Sequence, residues 1–179
     1  MKISRFEDYH GYPDDLAMKI DQPDFVYCIQ QFLHAQEHSD FDFSASQAPT
    51  DLPQFDEKIT AYPSAVATLF SPSDISGIGG MHCERIHAVD SWRKGPPWND
   101  CIFVEMDLNS PGILGLDIAC VQLFFAFTHN NAKYSCTLVH WFSHMSESVD
   151  SSTGMWVVEC EVTNDGRPIT SVIHLNTII

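Results

Sequence analysis

Apolar side chains recur at helical spacing near the start of the chain. Phe25, Val26, Ile29, Phe32 and Leu33 fall on one stripe, which predicts a helix over residues 22–35. Asp21-Gln22-Pro23 reads as its start signal, with Asp21 as N-cap and the proline in the first turn. Residues 1–20 mix aromatics and acids with Gly11 and Pro13, so an irregular arm with room for one short helix is expected. Ser, Asp, Gln and Pro dominate 36–57, a polar linker whose Phe41, Phe43, Leu52 and Phe55 are placed to dock on a neighbouring body.

From Ile59 onward the pattern turns to short apolar runs bounded by turn residues, the signature of strands. Ala65–Phe70, Glu84–Val89, Asp100–Asp107, Ala119–Thr128, Tyr134–Phe142, Met155–Val162 and Ile169–Leu175 are the candidates. Ser71 to Gly80 (SPSDISGIGG) is a loop by composition. His129-Asn130-Asn131-Ala132-Lys133 has turn chemistry, because asparagine tolerates the left-handed region, so the two strongest runs should form an antiparallel hairpin. The expected fold is α+β and mostly β. It consists of a small antiparallel β-barrel or open curled sheet over residues 58–179, preceded by an N-terminal helix and irregular arm over 1–57.

The charge narrows the partners. Asp and Glu number 24 against 9 Lys and Arg, for a net charge of −15 over 179 residues. Such a field repels phosphate backbones, so direct nucleic-acid binding is not expected, whereas a basic protein partner suits it. The apolar run Ile118–Phe127, interrupted by Gln122, is too short for a membrane span. MKISRFEDYH carries acids where a signal peptide needs an apolar segment. The six cysteines are scattered without a CxxC, which fits free thiols in a reducing, intracellular compartment.

Candidate chemistry is sparse. His82, Cys83 and His87 form the densest ligand cluster, and Cys101, Cys136, His140 or His144 are the residues that would complete a zinc site in space. The paired short spacings of zinc domains are missing, so no metal is expected. Glu105, Asp107 and Asp117 are the carboxylates that a metal-dependent phosphodiesterase or nuclease would use, but two of them flank the turn MDLNSPG, where carboxylates commonly cap turns. There is no GxSxG elbow, and the glycines at 77, 79 and 80 lack the lysine of a phosphate loop. No catalytic residue, cofactor or small-molecule substrate is expected. Trp92 and Trp98 are the candidates for an aromatic interaction surface, of the kind that holds a methylated lysine by cation–π attraction.

SPSDISGIGGMHCERIH, SWRKGPP, CTLVHWFS, TGMWVVE and SVIHLNTI occur in that order. As a set they resemble the C-terminal region of the proteins encoded by plavaka-type transposons, a CACTA-like class of mushroom-forming fungi. The likeness covers Phe55 to Ile179 and extends to the helix at Pro23–Gln36. It implies a nuclear, non-catalytic accessory domain, with the transposase nuclease core elsewhere, and a chromatin-type fold of the SH3-like or bromo-adjacent-homology-like kind. Such a domain would help a transposase assemble or tether it to a basic chromatin partner. Relatives have Arg at the position of Cys83, Pro at Cys160 and Asp at Asn176, and the first of these weighs against zinc. They also continue past the position of Ile179 into an apolar segment, so the β-rich part is expected to lack a last strand. The alternatives are the nuclease reading and a decayed transposon fragment without a selected function.

Overall fold

The computed structural model describes residues 1–4, 8–38, 51–70, 80–91, 93–105, 115–146 and 148–178. In chain order the elements are β1 (Lys2–Ile3), β2 (Tyr9–Gly11), α1 (Pro13–Lys19), α2 (Phe25–Glu37), β3 (Ile59–Tyr62), β4 (Ser64–Phe70), β5 (Met81–Val89), β6 (Trp98–Asn99), β7 (Cys101–Glu105), β8 (Leu116–His129), β9 (Ala132–His144), β10 (Val158–Cys160) and β11 (Thr170–His174), followed by a 3-10 turn at Leu175–Thr177.

The β8–β9 hairpin is the spine. Asn130 and Asn131 both adopt positive φ, 50° and 63°, as a tight two-residue hairpin turn requires. β3 and β7 share the outer edge of β8, while β10 and β11 share the outer edge of β9. β2 extends the sheet beyond β3. A second sheet runs in the order β1-β4-β5-β6. All of these pairings are antiparallel. The molecule is therefore α+β and mostly β, and no sheet closes into a barrel among the described residues. Closure of the larger sheet would bring β2 to β10 or β11, which lie at opposite edges.

The central sheet is apolar on both faces. One face buries Leu123, Phe125, Phe127, Cys136 and Leu138 beneath α1 and α2, where Leu16, Phe25, Ile29, Phe32 and Leu33 meet them. The other face buries Ala119, Val121, Phe124 and Val139 against Ala65 and Ala88 of the second sheet and Leu175 of the 3-10 turn. The result is three layers, with helices, sheet and sheet stacked in that order. Phe25 and Phe55 meet Phe125 and Phe127 edge-on, at 5.1 and 5.0 Å between centroids, an arrangement that adds to simple burial.

A β-bulge lets β8 serve both cores. Val121 faces Val139, but Leu123 faces Leu138, so Gln122 is an extra residue. Odd positions before it (Ala119, Val121) and an even position after it (Phe124) therefore share a face, because one inserted residue reverses the alternation. Thr137, fully buried, donates its hydroxyl to the Leu123 carbonyl beside the bulge at 2.9 Å.

At the N-terminal end the start signal read at Asp21 belongs to the preceding helix. Asp21 has φ of 53°, its N–H donates to Met18 O, and the Gln22 N–H donates to Ala17 O at 2.9 Å. That double bond is a Schellman closure of α1, so Asp21 ends one helix and Asp24 stands at the N-cap of the next. β1 pairs with β4 and β2 with β3, so residues on either side of position 57 share one core.

Candidate functional site

The chain leaves the second sheet for the central one at Asp100, between β6 and β7. There the Asp100 carboxylate gathers three donors. The His87 backbone N–H donates at 2.7 Å and the Trp98 indole N–H at 2.6 Å, with His87 Nδ1 at 3.1 Å. Its own N–H donates to the His87 carbonyl, and its carbonyl accepts from the Val121 N–H, both at 3.0 Å. One residue thus ties β5, β6 and the bulge of β8. Asn99 adds a bond from its side-chain amide to Gln122 Oε1 at 3.1 Å. Partial burial works against the Asp100 charge, but the bonds from His87 and Trp98 outweigh it and hold the carboxyl below the ordinary aspartate value.

Beyond this corner residues of β5 and β7 line an open groove of about 480 Å³. Glu84, Arg85, His87, Trp98, Asp100 and Phe103 line it. The Trp98 ring lies 5.2 Å from the His87 ring and is 41% exposed, and Phe103 is 42% exposed. Arg85 donates to the buried Ser64 hydroxyl at 2.9 Å, which turns its guanidinium toward β4. The Ala88 N–H bonds to Pro63 O, so by antiparallel alternation His87 and Arg85 direct their backbone groups away from β4 toward the groove. Among the described residues no strand pairs with that stretch of β5 opposite β4 until Ala88, which faces Asn99 of β6.

The sequence candidates separate. Trp98 sits in the groove, whereas Trp92 lies outside the described residues. Asp107 also lies outside them. Glu105 pairs with Leu116 and Asp117 with Val104, which puts the two carboxylates on opposite faces of the ladder, so they share no coordination sphere. His82 and His87 point to opposite faces of β5, and Cys83 contacts Thr68 at 3.7 Å. Cys136 is buried in the helix-side core, where desolvation pushes its thiol far up. The His140 and His144 rings retain nitrogens without hydrogen-bond partners, and burial holds the His140 pKa down. Among the described residues no group of three His, Cys, Asp or Glu side chains could hold a metal ion, and no helix is long and apolar enough to cross a membrane.

Asp100 and Gln122 escaped the sequence reading as site residues. The one available signal was position, a lone acid at the head of an apolar run and a lone amide inside another. Comparison of the chain with protein-family models, curated proteins and solved structures gives no significant match.

Proposed function

We propose that the chain is a non-catalytic protein-interaction module whose corner groove binds a basic segment of a partner protein. The observation that carries this reading is Trp98, held by Asp100 at the mouth of a groove that also presents Glu84. An indole beside carboxylates attracts lysine, arginine or methylated lysine through cation–π and charge terms together. The net charge of −15 strengthens the attraction over longer range. The resemblance to plavaka-type proteins makes the partner a chromatin protein and the setting nuclear, with the module accessory to a transposase. In this reading the likeness to SH3-like or bromo-adjacent-homology-like folds lies in an antiparallel sheet with a groove at its corner.

The test is titration of the full chain with labelled Lys/Arg-rich peptides, with and without trimethyl-lysine, against Glu-rich peptides of equal length. Basic peptides should bind, more weakly as salt rises, and Glu84→Lys and Trp98→Ala should each weaken them. Equal binding of acidic and basic peptides, or a Glu84→Lys protein that binds as before, would overturn the proposal.

A further inference from the structure

Cys101 on β7 and Cys120 on β8 stand directly opposite each other, outside both cores. We propose that they are a redox modification site that closes to a cross-strand disulfide. The ladder geometry supports it first. Val121 N–H bonds to Asp100 O, so that pair is hydrogen-bonded, and by alternation Cys101 and Cys120 form the adjacent non-hydrogen-bonded pair. Such pairs hold their Cα atoms about 4.5 Å apart, inside the span of roughly 4.4–6.8 Å that a disulfide bridges. The Cys120 thiol donates to the Asn99 carbonyl at 3.9 Å, and Cys101 lies close enough to raise its pKa.

Access and competition point the same way. Cys101 is exposed and Cys120 half-buried, whereas Cys28 and Cys136 are buried. Cys83 is exposed but lies on the second sheet opposite Thr68. Cys160, across β9 on β10, is near enough for Cys120 to feel its charge, but its register partner is Phe142. Desolvation, with Cys101 beside it, pushes the Cys120 thiol up to about 11, which leaves the exposed Cys101 as the first nucleophile.

The exchange balances with a small-molecule disulfide as oxidant. Cys101 loses its proton to solvent, and its thiolate attacks one sulfur of the reagent and displaces a thiolate. Cys120 then loses its proton, attacks the Cys101 sulfur and displaces the second thiolate. The two cysteine sulfurs lose two electrons, and the reagent is reduced to two thiols that take up the two protons. Cys101 also lines the corner groove, so the exchange is tested on the chain with no peptide added.

The experiment incubates the folded full chain with oxidised glutathione, blocks residual thiols, and maps chymotryptic peptides by mass spectrometry without reduction. The expected product is two hydrogen atoms lighter, with the Cys101 and Cys120 peptides joined. Cys120→Ser should retain glutathione on Cys101, while Cys160→Ser should close the bridge as the unaltered chain does. Circular dichroism confirms that each variant is folded. A stable glutathione adduct on Cys101 of the unaltered chain, a bridge to Cys160 or Cys83, or no reaction at all would overturn the assignment.

Discussion

Asp100 holds its place by accepting from two donors of His87 and one of Trp98, and that has a pH signature. Its folded pKa lies below the ordinary value, so the unfolded chain binds the proton more readily. The stability it contributes is fully present above the unfolded value of about 3.9 and is lost as pH falls through the lowered folded value. Asp100→Asn should cost about 1–2 kcal/mol at pH 7, a modest figure because the site is partly solvated. Urea denaturation of both proteins should show that gap shrinking below pH 4. A gap that stays constant down to pH 2 would remove the charge from the account. Trp98 was legible in the sequence as an exposed aromatic candidate. Asp100 was not, because its importance depends on which backbone N–H groups the register turns toward it.

Elements with a strong period or strong turn chemistry are readable in the sequence itself. The hairpin was expected at Ala119–Thr128 and Tyr134–Phe142, and β8 and β9 span Leu116–His129 and Ala132–His144. The helix was expected at 22–35 and runs Phe25–Glu37. β1, β2 and β3, of two to four residues, are too short for periodicity to register. The bulge was hidden for a different reason. β8 is apolar on both faces after Gln122, so the alternation that would reveal a slipped residue is absent. Deleting Gln122 should send Leu123, Phe125 and Phe127 toward the wrong core and abolish cooperative melting. Gln122→Ala, which loses the bonds to Asn99 and to the Cys120 carbonyl but keeps the bulge, should cost about 1–2 kcal/mol. Thermal circular dichroism separates the two, and a deletion variant that melts like the parent would contradict the bulge.

At the scale of the molecule, two cores share one sheet. Phe25, fully buried in the helix-side core, should cost about 3–5 kcal/mol as Phe25→Ala. Trp141 packs against the opposite core. If the layers are one cooperative unit, urea curves of Phe25→Ala followed by far-ultraviolet circular dichroism and by tryptophan fluorescence will coincide. Separated midpoints would mean that the helical layer melts alone. The α+β, mostly β class was legible from apolar runs and turns, but the layering was not, because no local pattern tells a strand which partner covers it.

The wiring of the hairpin also orders events in time during synthesis. β3 finds its partner in β8, and the helices cover a surface that includes Val172, all translated later. The first third of the chain leaves the ribosome with greasy side chains and no surface to receive them. Nascent chains halted before Asn130 should be captured by chaperones and cut readily by protease, and resistance should arrive abruptly once β9 and β11 have emerged.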